Sequence, residues 1–116
     1  PSAQAASEQS RLIGQVMGLL EKSFGEAFDA DSVNAARFAV HLRYFLVRAR
    51  TAVQIEDGTS SLVAEALRVS DPDAYRVARR IRDLLEIRLN TTVSDDETAY
   101  LALHVARLTS SLQQTM

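Results

Sequence analysis

The stretch "SDDETAYLALHVARL", residues 94–108, contains the start of a helix and the apolar pattern that continues it. Ser94 and Glu97 have the spacing of a capping box, in which each side chain bonds to the backbone N–H of the other residue. Asp95 and Asp96 add negative charge where the helix dipole favours it. The pattern predicts a helix from about residue 95. We therefore interpret "SDDE" as a helix cap and not as a metal or acid–base cluster.

The remainder of the chain is also predicted to be helical. Apolar residues recur at a helical period, and no segment shows the sustained alternation of a β-strand. Turn and capping signals separate the segments, among them Gly25, Gly58, Pro72 and the possible N-caps Asp31 or Ser32 and Ser70 or Asp71. Helices are predicted over residues 8–23, 33–50, 61–69, 72–89 and 95–112. Short connections favour antiparallel neighbours, so we expect an all-α fold.

Length and composition indicate one globular domain. The chain has 116 residues and is 47% hydrophobic, which corresponds to about one domain. The absence of cysteine excludes disulfides, iron–sulfur clusters and thiolate zinc sites. No apolar run is long enough to predict a transmembrane helix, and "PSAQAASEQS" lacks the order of a signal peptide. We expect a cytoplasmic domain at 10–113, a linker or disordered start at 1–9 and a tail at 114–116.

The charge balance opposes direct binding to nucleic acid. The formal net charge is -2, whereas nucleic-acid binders usually carry a basic patch. The densest basic stretch, "RVARRIRDLLEIR" at 76–88, pairs Arg79 with Asp83 and Arg82 with Glu86 at a spacing of four residues. This spacing favours a solvated helix face, and a phosphate-binding stripe is the alternative.

The chain has two histidines, and each has an arginine further along its own predicted helix. Arg48 follows His41 by seven residues, and Arg107 follows His104 by three. A neutral imidazole can attack a phosphoryl group near physiological pH, and arginine suits the resulting dianion. The same spacing is compatible with hydrogen-bonded core histidines. Two histidines without cysteine make a poor metal site, so we expect neither metal nor cofactor.

Three motifs in order resemble a known family. They are "HLRYFLVR" at 41–48, "DPDAY" at 71–75 and "SDDETAYLALHVARL" at 94–108. Together they resemble a PRD, the regulation domain read by the bacterial sugar phosphotransferase system. Such domains occur in BglG-type transcriptional antiterminators and in related transcription activators. One departure is Val40, because many family members have an aspartate directly before the first histidine.

The resemblance implies an all-α bundle of five helices, formed from two antiparallel pairs, that assembles as a homodimer. It implies that His41 and His104 accept phosphoryl groups, accompanied by Arg48 and Arg107. The phosphoryl donor would be phosphorylated HPr or a sugar-specific IIB domain. Nucleic acid would be bound only through a domain absent from this chain, and no membrane would be involved.

The functional hypothesis is therefore a regulatory domain, not an enzyme. Reversible histidine phosphorylation would rearrange the dimer and thereby control an antiterminator or activator. The alternative is a structural helical dimerisation module with vestigial histidines. Val40 leaves open which histidine accepts phosphate.

Overall fold

The computed structural model describes residues 2–50, 58 and 60–114, and the described chain is almost entirely helical. Five α-helices follow one another: α1 (Ser2–Phe24), α2 (Val33–Arg50), α3 (Ser60–Ser70), α4 (Pro72–Leu89) and α5 (Asp95–Gln114), with a short 3₁₀ turn at Gly25–Ala27 after α1. No strand occurs within this described part of the chain. The predicted all-α fold is confirmed.

Local capping determines where α2 and α4 begin. The hydroxyl of Ser32 accepts a hydrogen bond from the backbone N–H of Ala35 at 3.0 Å. The carboxylate of Asp71 accepts from the backbone N–H of Ala74 at 3.2 Å, and Pro72 occupies the first turn of α4. Each contact satisfies an N–H that has no partner within the helix. Both starting points agree with the sequence prediction because the signals that set them are local.

Two left-handed residues end helices. Gly25 has a φ of 58° directly after α1, and Asn90 has a φ of 53° directly after α4. Glycine and asparagine tolerate this conformation better than other residues. At the other end, α1 begins at Ser2 and runs through residues 2–9, where the sequence predicted a linker or disordered start. Gly58 has a φ of 79°, but most of the predicted turn around it lies outside the described residues.

Helix α5 is central to the packing. It contacts α2, α3 and α4, while α1 packs against α2 and α4. The core combines apolar residues from all five helices, and the most deeply buried large side chains are Val16, Leu20, Phe38, Leu42, Leu46, Val77, Ile81, Leu85 and Val105. Their burial provides the main stabilisation of the bundle.

The side of α5 that faces α2 is more polar than the core. Side-chain contacts among the described residues link these helices, and in chain order they include Asn34 with Arg107, His41 with His104, and Arg48 with Glu97. Residue numbers rise along α2 as they fall along α5. The two helices are therefore antiparallel, although α3 and α4 separate them in the chain.

The arginine-rich face of α4 is largely exposed, and its contacts differ from the predicted pairs. Arg82 donates hydrogen bonds to the carboxylate of Asp83 at 3.1 and 3.3 Å. The guanidinium of Arg79 lies 5.8 Å from the centre of the Tyr75 ring. The predicted pairing of Arg82 with Glu86 is wrong, because the Glu86 carboxylate accepts a backbone N–H from the connection to α5. These contacts fit a solvated helix face.

Helix α2 also carries an exposed apolar stripe, formed by Val33, Val40, Tyr44 and Val47. Spacings of seven, four and three residues put these side chains on one face of the helix. Val40 therefore belongs to this outer stripe.

Two isoleucines of α4 provide a matched test of the core. Ile81 is fully buried, whereas 77% of Ile87 is exposed. Ile81→Ala should lower the free energy of unfolding by about 2–5 kcal/mol, because it removes buried apolar contacts and leaves a cavity. Ile87→Ala should change it by less than about 0.5 kcal/mol. Urea unfolding followed by circular dichroism measures both values, and equal losses would contradict the described packing of α4.

Candidate histidine site

The two histidines of the chain meet between α2 and α5. Their ring centroids are 4.1 Å apart, and the ring planes form an angle of 26°, so the imidazoles are stacked. His41 is exposed, and His104 beneath it is partly buried. Two residues 63 positions apart in sequence thus form one pair because their helices are antiparallel neighbours.

A second contact joins the same helices seven residues, or about two helical turns, away from this pair. Nη2 of Arg48 donates hydrogen bonds to Oε1 and Oε2 of Glu97 at 2.9 and 3.0 Å. The side chain of Glu97 is 2% exposed and that of Arg48 is 32% exposed. A carboxylate this deeply buried requires a charged partner to be stable in its ionised form. The ion pair therefore fixes α2 against the start of α5.

The acidic start of α5 is thus more than a cap. The hydroxyl of Ser94 does accept the backbone N–H of Glu97 at 3.1 Å, as the capping box predicted. The carboxylate of Asp96, however, accepts the backbone N–H of Gly58 at 2.9 Å, and that of Glu97 binds Arg48. Both carboxylates are buried. The helix-cap interpretation of "SDDE" is therefore incomplete for these two residues, because their side chains also bind partners on distant parts of the chain.

The histidine pair borders two openings between α2 and α5. The larger is a cleft of about 360 Å³, which extends from the pair toward the ion pair and is lined by His41, Phe45, Arg48, Glu97, Tyr100, Leu101, Leu103, His104 and Arg107. The smaller is a recess of about 100 Å³, lined by Asn34, Arg37, His41, His104 and Arg107. Small molecules can thus reach the imidazoles through the cleft on the ion-pair side and through the recess on the Arg37 side.

The surroundings of His104 favour its neutral form. Partial burial, followed by the nearby charges of His41 and Arg107, lowers the pKa of the His104 imidazole from 6.5 to about 4. Desolvation and like charge both penalise the imidazolium form. His104 is therefore neutral at physiological pH, with one ring nitrogen carrying a lone pair. A neutral imidazole can act as a nucleophile or as a hydrogen-bond acceptor.

All four predicted site residues line the larger cleft, although they differ in their contacts. His41 and His104 are stacked, Arg107 borders both openings, and Arg48 lines the cleft while bound to Glu97. The sequence analysis did not identify Glu97 as the partner of Arg48. A signal was present, because Glu97 precedes His104 by seven residues just as Arg48 follows His41 by seven.

Two further residues of α2 were missed. Asn34 and Arg37 precede His41 by seven and four residues, on the same helix face, and line the smaller recess. Nδ2 of Asn34 donates a hydrogen bond to the backbone carbonyl of Arg107 at 3.2 Å. The sequence signal for Arg37 is its position one helical turn before His41, whereas the predicted arginines follow the histidines.

The described residues contain no cluster of three or more His, Cys, Asp or Glu side chains that could hold a metal ion. No helix among them is both long enough and apolar enough to span a membrane.

The structure defines the protein as an all-helical domain with a histidine pair between two antiparallel helices. Comparison with known proteins identifies its family. The family model for the PRD domain matches residues 14–108. The chain belongs to the PRD domain family. The match covers the histidine pair, the ion pair, all of α2 and most of α5.

Characterised relatives are transcription antiterminators. The chain is 26% identical over 106 residues to the PtsGHI operon antiterminator of Bacillus subtilis, covering 91% of this chain and 37% of that protein. It is 24% identical over 107 residues to the beta-glucoside operon antiterminator of Dickeya chrysanthemi, covering 90% and 37%. It is 31% identical over 72 residues to the transcription antiterminator LacT of Lacticaseibacillus casei, covering 62% and 25%. The chain thus spans about a third of these relatives, or less.

The low pKa of His104 is directly measurable. In a titration of the histidine ring protons by NMR, His104 should titrate at about 4 in the wild-type chain. His41→Ala should raise this pKa toward 6.5, because it uncovers the ring and removes a neighbouring charge. Arg43→Gln, also on α2 but away from both openings, should leave it unchanged. A wild-type value near 6.5 would contradict the burial and charge described for this ring.

The same shift has a consequence for stability. The unfolded chain takes up a proton on His104 at a pH of about 6.5, and the folded chain only at about 4. Between these values the unfolded state binds more protons, so acidification destabilises the fold through this residue. The thermal midpoint of the wild type should therefore fall more steeply from pH 6.5 to pH 5 than that of His104→Gln. Parallel slopes would show that His104 makes no such contribution.

Breaking the ion pair should destabilise the domain. Glu97→Gln should lower the free energy of unfolding by about 2 kcal/mol, since it weakens charge-assisted hydrogen bonds and leaves Arg48 without its counter-charge. Asp95→Asn, in the same first turn but exposed, should cost less than about 1 kcal/mol. The double variant Arg48→Met, Glu97→Leu should recover much of the loss. Urea unfolding measures all three, and equal effects of Glu97→Gln and Asp95→Asn would contradict the role of the pair.

Proposed function

We propose that this PRD is the regulatory domain of a bacterial transcriptional antiterminator or activator, controlled by reversible phosphorylation of His41 and His104. The observation that carries the proposal is the stacked histidine pair beside two arginine-bordered openings, in a chain of the PRD family. The antiterminators among its relatives support the regulatory role. The effector that binds nucleic acid belongs to a domain outside this chain.

The proposed reaction is phosphoryl transfer from a nitrogen or sulfur atom of the donor to an imidazole of this domain. The donor is phosphorylated HPr or a sugar-specific IIB domain. A ring nitrogen of His41 or His104 uses its lone pair to form a bond to phosphorus. The bond from phosphorus to the donor's nitrogen or sulfur breaks, and its electron pair returns to that donor atom. The exposure of His41 supports access by a carrier protein, and the neutral state of His104 supports nucleophilic attack.

The consequence for the domain is electrostatic. A phosphoryl group adds about -1.5 to -2 charges at neutral pH. On either histidine, this charge would lie about two helical turns from the buried Arg48–Glu97 ion pair and beside Arg107. We propose that the new attraction for arginine and repulsion from Glu97 change how α2 and α5 meet. The exposed apolar stripe of α2 supports a homodimer whose interface responds to such a change.

The proposal is tested by incubating the chain with phosphorylated HPr and, separately, with phosphorylated IIB domains. The wild type should gain acid-labile phosphate, detected by intact mass spectrometry. Each single variant, His41→Ala and His104→Ala, should retain only the phosphate of its remaining histidine, and the double variant should gain none. Phosphate uptake by the double variant, or none by the wild type, would refute the acceptor roles.

Dimer control is measured in the same samples. Analytical ultracentrifugation should show a different monomer–dimer equilibrium or dimer shape before and after phosphorylation. A dimer that takes up phosphate without any such change would refute control through dimer rearrangement. A dimer that takes up no phosphate at all would favour the structural dimerisation module with vestigial histidines.

A further inference from the structure

The smaller recess beside the histidine pair contains an arginine to which no role has been given. Its lining residues are Asn34, Arg37, His41, His104 and Arg107. Its volume of about 100 Å³ is several times the ~10–15 Å³ needed to admit one water molecule. A single tetrahedral oxyanion fits a space of this size.

Two arginines lie on the same side of the histidine pair. Because α2 and α5 are antiparallel, Arg37, four residues before His41, and Arg107, three residues after His104, are displaced in the same direction. At 1.5 Å per residue, both displacements are about 5 Å along the helices. Arg48 is displaced by about 10 Å in the opposite direction. The recess therefore has an arginine on each of its two helices.

The charges on the two sides of the histidine pair differ as well. Arg48 is bound to the carboxylate of Glu97. Among the described residues that line the recess, none is a carboxylate, and Arg37 forms no ion pair with any described residue. Asn34 holds the backbone carbonyl of Arg107, which fixes the segment of α5 that carries the second arginine. The recess is thus the more cationic side of the histidine pair.

We propose that Arg37 is a phosphate-binding residue, which acts with Arg107 to hold the phosphoryl group on the histidine pair in the recess. Arg48, by contrast, is held by Glu97 and maintains the helix packing. This inference rests on the proposed phosphorylation, and it assigns the recess as the position of the phosphate. A guanidinium presents paired N–H donors that match two oxygens of a phosphoryl group, which lysine or glutamine does not.

The first test uses inorganic phosphate and the unmodified chain, and so does not depend on phosphorylation. Added phosphate should shift the ring signals of both histidines in NMR spectra at constant ionic strength. Arg37→Gln should weaken this binding about tenfold, the effect of losing one charge-assisted contact. Arg43→Gln, an exposed arginine of α2 outside both openings, should leave it unchanged. Equal binding by the two variants would overturn the assignment of Arg37.

The second test measures phosphorylation with phosphoramidate, a small donor that requires no carrier and releases ammonia as its nitrogen–phosphorus bond breaks. Arg37→Gln should take up phosphate about tenfold more slowly than the wild type, since it lacks a group that stabilises the transferring phosphoryl. Arg37→Lys, which keeps the charge but not the paired donors, should fall between them. Arg43→Gln should match the wild type.

The outcomes separate this inference from the proposed function. If the wild type takes up no phosphate from either phosphoramidate or the carriers, the proposed function fails. If the wild type is phosphorylated and Arg37→Gln reacts as fast as Arg43→Gln, only the role of Arg37 fails. Unfolding midpoints of the variants should equal that of the wild type, because Arg37 is exposed. Slower uptake that merely followed a lowered midpoint would also count against a phosphate contact.

Discussion

The ion pair between Arg48 and Glu97 determines how the polar side of this bundle is assembled. A carboxylate as deeply buried as that of Glu97 is stable only where a cation reaches it. That requirement fixes one register of α2 against α5. Each histidine lies about two helical turns from the member of the ion pair on its own helix. The two histidines then meet because the helices are antiparallel. A shift of either helix by one turn would separate the imidazoles and also leave Glu97 without its partner.

The polar contacts between α2 and α5 divide into two parts with the histidines in the middle. On one side, opposite charges neutralise each other in the ion pair. On the other, the two arginines of the recess face a space that no described carboxylate occupies. An anion added at the histidines would find attraction on the recess side and a carboxylate on the other. The site is therefore asymmetric, and under the proposed function an added phosphate would lie on the recess side, where the charge is more positive.

Much of the fold could be predicted from the sequence, because its signals are local. Ser32 and Asp71 cap helices through backbone N–H groups three residues away, and Gly25 ends α1 through its own φ. The geometry of the site could not be predicted from local signals alone. The family resemblance indicated both histidines, but their stacking depends on the register of two helices far apart in sequence. The long-range contact of Glu97 was missed for the same reason, since its local pattern matched a cap while its second partner, Arg48, lies 49 residues away.

The stacked geometry of the imidazoles has one more consequence. The lone pair of an imidazole nitrogen lies in the plane of its ring, whereas the rings here lie face to face at 4.1 Å with planes only 26° from parallel. Neither lone pair points at the other ring. A phosphoryl group on one histidine therefore has no in-line route to its neighbour in this arrangement. Under the proposed function, each histidine would therefore receive and lose its phosphoryl group independently, without direct transfer between the two rings.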